Sequence, residues 1–329
     1  SLPCEKLRQD IWWRVCIPEG QFLMRKEKQA MERFKELLNQ IVDQAEPQPM
    51  AIACAADLHT LQATAAAQQR GLIQPLLVGN LAKLYPLIEQ TGLSITEKDL
   101  FPAADDIEAC RMAVNLVRQG KASVLMKGAT DTKNLLAAVV DRDSGLRKSD
   151  TLSHVAVFEL HGRLVAVADG GMVPYPTLEQ KKVIIENTVS VLRALGISCP
   201  RVGVLTCVEK VNPKMPETQD AERLQQMNRE GLIADCIVAG PISYDCAMDA
   251  DIAAIKKYES PVAGQADALI VPNIHAGNIL GKALTVSAGA RMAGIVVGAA
   301  CPVVLASRGA TAEEKLLSIL LAAVVSHAS

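Results

Sequence analysis

The feature that most constrains this chain is an alternation that begins at Pro49. Short aliphatic runs, MAIACA (50–55), PLLVG (75–79) and SVLMKG (123–128), alternate with segments whose apolar residues recur at helical spacing, Leu58–Arg70, Leu81–Gln90 and Ile107–Arg118. Strands and helices in this rhythm build repeated βα units around a parallel sheet. Because half of the residues are hydrophobic and only 3% aromatic, Ala, Leu and Val must form the core, as in parallel strands covered by helices. The 329 residues exceed one comfortable core, so two domains are expected.

Around residue 150 the texture changes. VAVFEL (155–160) and RLVAVAD (163–169) flank His161-Gly162 and predict an antiparallel hairpin, which a pure βαβ domain does not need. The boundary therefore falls between Arg147 and Thr151. Residues 24–150 with 301–329 form a first α/β domain, and residues 151–300 a second. The second is predicted to hold helices at Leu178–Leu195, Ala221–Gly231 and Ala247–Lys257, strands VGVLTCV (202–208), CIVAG (236–240) and ALIVP (268–272), and a turn into a helix at NIHAGNILGKAL (273–284). Residues 1–23 hold both tryptophans, Trp12 and Trp13, and sustain no period. They read as an extension outside the core, with Met24 as a natural start and a helix over Arg25–Ala45.

Two strand-to-helix turns offer sites. The run Pro302–Ala306 stops at Ser307-Arg308-Gly309 and enters a helix capped by Thr311. A loop leaving the carboxyl end of a strand for a helix start is where ligands sit in open α/β sheets, and free N–H groups favour an anion there. Ser307 supplies a hydroxyl, Arg308 a planar fork suited to phosphate, and Gly309 room for close approach. The same segment also reads as an ordinary helix start, since Thr311 and Glu314 form a T-x-x-E capping box. Lys127, Gly128 and Thr130 occupy the second turn, where the plain alternative is an N-cap by Asp131.

Several chemistries are excluded. GNILGK (277–282) has three residues between its glycines instead of four, and Ala283 stands where a P-loop needs a hydroxyl. No G-x-G-x-x-G follows a strand and no G-x-S-x-G is present. The five histidines lack zinc-ligand spacing; His275, beside the AGN turn, is the one candidate for a site. Nine cysteines without a C-x-x-C pair read as reduced, buried thiols of an intracellular, cytoplasmic protein. The net charge of −2 gives no reason to expect nucleic acid or an anionic membrane as partner, and the longest weakly polar runs fall short of the roughly 20 residues of a membrane helix.

Six segments in order, KGATDTKNLLAAVV, GLRKSDTLSHVAVFE, VEKVNPKMPETQDA, GPISYDCA, PVAGQADALIVPNIHAGN and PVVLASRGATAEEKLLSI, resemble the phosphate acetyl/butyryltransferase family from about Met50 to the C-terminus. LMKG, LSHVAVFE and VNPKMPET are closer to its butyryltransferase branch. The resemblance implies a two-domain isocitrate/isopropylmalate dehydrogenase-like α/β fold with an interdomain cleft, and a homodimer. It implies reversible transfer of a short acyl group between CoA and inorganic phosphate, butyryl favoured over acetyl, through a ternary complex with coenzyme A as substrate, no permanent cofactor and no metal. By position, Arg308 would hold the phosphoryl group and Ser307 would orient the thiol or the reacting carbonyl. Asn278 and Lys282 match an AGN-x-x-x-K segment, and Lys127 to Thr132 match a phosphate-side turn. Where the acetyltransferase branch has an aspartate proposed as the base for the CoA thiol, this chain has Glu314, with Glu313 as the neighbour that could replace it.

Two other readings stand beside this one. A metal-dependent decarboxylating dehydrogenase of the same fold would need an aspartate cluster, for which Asp245, Asp249 and Asp251 are the loose candidates. A non-catalytic acyl-CoA or acyl-phosphate binding protein is suggested by the departure at Glu314.

Overall fold

The computed structural model describes Phe34, Glu36 and residues 46–306 and 309–328. The extension at 1–23, most of the helix expected over 25–45, and Ser307 and Arg308 lie outside the described residues; Phe34 and Glu36 are helical.

The βα alternation appears nearly as the sequence predicts. Strands β1 (Gln48–Ala53), β2 (Ile73–Gly79), β3 (Leu100–Pro102) and β4 (Val124–Lys127) alternate with helices α1 (Leu58–Gln69), α2 (Leu81–Thr91), α3 (Asp106–Arg118) and α4 (Thr132–Val140). The hairpin follows as β5 (Ser153–Leu160) and β6 (Arg163–Ala168), turning at His161 and Gly162, both in the left-handed region at φ 50° and 74°. Then come α5 (Leu178–Ala194), β7 (Arg201–Leu205), α6 (Pro216–Arg229), β8 (Ile237–Ile242), α7 (Tyr244–Met248), α8 (Ala250–Ile255), β9 (Ala268–Ile270) and α9 (Ile274–Lys282), which runs into a π turn at Ala283–Ser287. The chain closes with β10 (Arg291–Val297), β11 (Val303–Val304) and α10 (Ala312–His327).

Several bounds differ from expectation for local reasons. Helix α6 starts five residues before Ala221 because Pro216, whose fixed φ suits a first helical position, opens it. The helix expected over Ala247–Lys257 is two, broken where extended Asp249 takes the N-H groups of Asp251 and Ile252 onto its own carboxylate. Strand β11 is only two residues long, and β3 and β10 have no counterpart among the expected strands. Cys54, Cys110, Cys236, Cys246 and Cys301 are buried thiols as expected, but Cys199 and Cys207 are exposed.

The described strands form a single sheet in the order β3-β2-β1-β4-β11-β10-β5-β6-β9-β7-β8. β3, β2, β1, β4 and β11 are parallel; β10 runs antiparallel to both β11 and β5, β6 is antiparallel to β5, and β6, β9, β7 and β8 are parallel. The centre of the sheet is therefore an antiparallel insert between two parallel blocks.

Packing differs on the two faces. On one, Val155, Val157, Ala293 and Ile295 join a continuous core with α5 and with Leu317, Leu320, Leu321 and Val324 of α10. On the other, two separate apolar clusters form, one around β1, β4, α3 and α4, the other around β5, β6, α7 and α9. The central strands lie between them, so the candidate site falls where the core is interrupted.

The β4–α4 turn is locked to β1 by backbone contact. Gly128 and Ala129 donate their N–H groups to the carbonyls of Ala53 (2.8 Å) and Cys54 (2.7 Å). A Cβ on Gly128 would stand 2.3 Å from the Cys54 carbonyl oxygen, so only glycine fits. Gly128→Ala should cost about 1–3 kcal/mol by overpacking. Thermal unfolding checks this against Gly309→Ala, where a Cβ would meet nothing within 4 Å; equal midpoints for the two variants would contradict the steric argument.

Candidate active site

The carboxyl ends of β1, β4 and β11 point to one edge of the sheet, and the residues that follow them enclose a cavity of about 420 Å³. Its wall includes Asp57 after β1, Lys127 to Asp131 after β4, Ala306 after β11, and Lys315 from α10. Both lysines are buried and both are engaged. Lys127 donates through Nζ to the carbonyls of Thr130 (2.9 Å) and Gly128 (3.2 Å), tying the turn together from within. Lys315 pairs with Asp57 at 3.2 Å.

Asp57 is also the N-cap of α1, accepting from the backbone N–H of Thr60 at 2.8 Å and from its hydroxyl at 2.5 Å. Burial opposes ionisation of this carboxyl, but the Thr60 bonds and the Lys315 ammonium outweigh it and hold the pKa below the ordinary aspartate value. Asp131 occupies the N-cap position of α4, but its side chain makes no bond to the helix N–H groups. Thr130 is buried and accepts from Asn134 Nδ2 at 3.1 Å.

A second cavity, of about 500 Å³, lies between the two separate clusters. Residues alternate across a strand, so His154, Ala156 and Phe158 of β5 and Met292, Gly294 and Val296 of β10 share one face and line it. Asn278 and Lys282 of α9, Thr132 of α4, Gly309 and Glu314 complete its rim. Both cavities have Ala306 in their walls, the residue before Ser307. The candidates thus divide: Lys127, Gly128 and Thr130 belong to the first cavity, and Thr132, Asn278, Lys282, Gly309 and Glu314 to the second. His275 lines neither and meets the Tyr175 hydroxyl at 3.1 Å.

The two glutamates differ. Glu314 both caps and lines. Its Oε2 accepts from Thr311 N–H at 2.9 Å while Thr311 Oγ1 accepts from Glu314 N–H at 3.1 Å, completing the capping box. Glu313 is held by Arg291, at 2.9 Å from Nε and 2.7 Å from Nη2, and Arg291 also pairs with buried Glu159 at 3.4 Å. It does not reach either cavity wall.

Sequence reading missed Asp57, Lys315, His154 and Ser318. Asp57 carried a usable signal, an Asp at the start of a helical pattern; the other three are ordinary helix or strand positions whose neighbours only the fold reveals. Ser318 replaces a strand. β11 ends at Val304, so Gly294 has no further ladder partner on that side and instead donates its N–H to Ser318 Oγ at 3.0 Å.

The dehydrogenase reading finds no support. Asp245 pairs with Lys256 at 2.8 Å and Asp249 is used as a cap. Among the described residues the candidate metal-ligating group is Glu209, Asp245 and Cys246, and the Lys256 ammonium bridges both of its carboxylates. No helix among the described residues is long and apolar enough to cross a membrane.

In open α/β sheets, cavities at the carboxyl ends of strands are where small-molecule ligands sit. The sequence model of the family described as phosphate acetyl/butaryl transferase matches residues 103–323. A phosphate butyryltransferase of Clostridium acetobutylicum is 37% identical over 90% of this chain and 98% of its own length. A phosphate acetyltransferase of Thermotoga maritima is 39% identical over 84% of this chain and 94% of its own. The crystal structure of a branched-chain phosphotransacylase from Enterococcus faecalis superposes with a TM-score of 0.75 at 30% identity, covering 85% of this chain and 99% of the other. The chain belongs to the phosphate acetyl/butyryltransferase family and is an acyltransferase acting between CoA and phosphate.

The Asp57–Lys315 contact gives a pH-dependent expectation. A depressed carboxylate pKa adds stability above the unfolded value of about 3.9, and loses it as pH falls through the lower folded value. Asp57→Ala should therefore cost at least about 1–2 kcal/mol at pH 7, through the lost cap together with the loss of the partner of buried Lys315. The difference from wild type should shrink below about pH 4, as the wild-type carboxyl also becomes protonated. Urea unfolding at both pH values checks this; an equal difference at both would remove the ionised carboxylate from the account.

Proposed function

We propose that this enzyme transfers a short acyl group, butyryl in preference to acetyl, reversibly between coenzyme A and inorganic phosphate in a ternary complex, without a covalent enzyme intermediate. The observation that carries the reading is the pair of cavities joined at Ala306, one with a basic turn in its wall, the other with an apolar floor and a carboxylate at its rim. Phe158, Met292 and Val296 of that floor suit an acyl chain longer than acetyl. In this reading the cavities belong to a cleft between a first domain, 24–150 with 301–329, and a second, 151–300, arranged as in isocitrate/isopropylmalate dehydrogenases. The active form is a homodimer in the cytoplasm.

The chemistry needs alignment, charge neutralisation and a thiolate. A free thiol, with a pKa of about 8.5, is only a few per cent ionised at neutral pH. Glu314 takes the thiol proton: one of its oxygens is committed to Thr311, and the second has no hydrogen-bond partner among the described residues. As the thiolate attacks the carbonyl of the acyl phosphate, the C–O bond to phosphate breaks. Arg308 and the Lys127–Thr132 turn receive the departing anion, and Ser307 orients the reacting group. Asn278, Lys282 and Gly309 contact the CoA side. In reverse, phosphate attacks the thioester and Glu314 returns the proton to sulfur.

The test is thiol release from acetyl-, propionyl-, butyryl- and isobutyryl-CoA with and without phosphate. Phosphate-dependent release, fastest with a four-carbon substrate, is expected; phosphate-independent release would contradict acyl transfer to phosphate, and fastest release from acetyl-CoA would contradict the butyryl preference. Arg308→Ala should lower turnover by about 10²–10³-fold, as for loss of a donor to developing charge. Glu314→Gln separates cap from base, since glutamine also completes a capping box. Its melting temperature should be unchanged while turnover falls by about 10²–10⁴-fold. Full turnover in that variant would leave Glu314 only its cap.

A further inference from the structure

His154 opens the shared face of β5, opposite Val296, and its ring lines the second cavity. The imidazole is fitted between two glycines. A Cβ on Gly294 would lie 2.8 Å from Nε2 and 3.3 Å from Cε1, and a Cβ on Gly171 would lie 3.2 Å from Cγ. Any larger residue at either position would displace the ring. The ring is thus held by shape, yet no described residue hydrogen-bonds either of its nitrogens, and Nδ1 is sealed from solvent without a partner. A buried histidine is usually oriented through one nitrogen so that the other can act.

The natural partner, Asp169, is otherwise engaged. Its carboxylate accepts from the backbone N–H groups of Gly171 (2.7 Å), Met172 (2.8 Å) and His154 itself (3.1 Å). Burial pushes the His154 pKa down, against the attraction of Asp169, so the ring carries one N–H and no charge at neutral pH. The other titratable groups of the same cavity are Lys282 on α9 and Glu314 on α10. The ring lines, with apolar Ala156, Val296 and Met172, the space that the acyl group would fill, and because Nδ1 is sealed, Nε2 is the nitrogen left to meet it.

We propose that His154 is a catalytic residue, donating a ring N–H hydrogen bond to the carbonyl oxygen of the bound acyl group. The proposal rests on the acyl-transfer reading above. The oxygen gains negative charge as thiolate or phosphate attacks, so this donor strengthens in the transition state. Loss of one such donor typically costs about 10²–10³-fold in turnover.

The test compares butyryl-CoA with its S-butyl thioether, which lacks only the carbonyl oxygen. Calorimetric binding of both ligands, with turnover of butyryl-CoA, is measured for wild type, His154→Leu and His154→Gln. Wild type should bind butyryl-CoA more tightly than the thioether. His154→Leu should remove that preference without weakening the thioether, and lower turnover by about 10²–10³-fold. His154→Gln, which keeps an N–H donor, should recover at least part of both. A leucine variant that keeps the preference, loses both ligands equally, or turns over at the wild-type rate overturns the proposal.

Nitrogen-15 NMR of histidine-labelled wild type gives a readout free of any folding defect. A His154 ring nitrogen should shift with butyryl-CoA and not with the thioether, and equal shifts would also overturn the contact. Should wild type release no thiol to phosphate, the acyl-transfer reading falls, while the two-ligand comparison still decides whether His154 meets a carbonyl.

Discussion

The structure depends on a two-residue strand. Val303 and Val304 pair in parallel with Leu125 and Met126 on one side, and Val303 pairs antiparallel with Val296 on the other. This brief ladder is where the sheet changes direction, and it joins the parallel block before it to the antiparallel insert after it. Were β11 longer, Gly294 would find a strand partner and the space occupied by Ser318 would close. Because it stops at Val304, Ser318 of α10 can bond the free sheet edge at Gly294.

Both lysines of the first cavity, and Asp57 with them, are engaged locally before any ligand is considered. Lys127 holds the carbonyls of its own turn, Lys315 is matched to Asp57, and Asp57 also caps α1. Burying a cation is costly unless it is paired, so these contacts are conditions for having lysines there at all. They fix the orientation of the N–H groups at the starts of α1 and α4, which gives the turn an ordered positive edge without a mobile side chain.

Much of this was legible in the sequence. The βα rhythm follows from hydrophobic period, and the hairpin from two strand-like runs around His161-Gly162. The T-x-x-E motif forms the box it promises. What escaped was set by long-range geometry. β10 escaped because its central Gly294 and its face-lining Met292 hide the alternation. Glu314 could be read as cap or as site group because its two oxygens allow both. His154 had no signal, since its cage is built from Gly171 and Gly294, which are far away in the chain and near it only in the sheet. Ser307 and Arg308 are read from motif alone and lie outside the described residues.

The second cavity is bounded by two helices of very different attachment. From Leu317 to Val325, α10 is buried at every position. In α9 only Gly277 is buried, while Ile279 and, in the following turn, Val286 are exposed. Displacing α10 would open the main core; displacing α9 would open only the smaller cluster that Ala276 and Leu280 help to cover. The cavity therefore has one stiff wall, carrying Glu314, and one compliant wall, carrying Asn278 and Lys282. On the proposed reading, differences in acyl or CoA bulk would be taken up on the α9 side, while α10 keeps its place relative to the sheet.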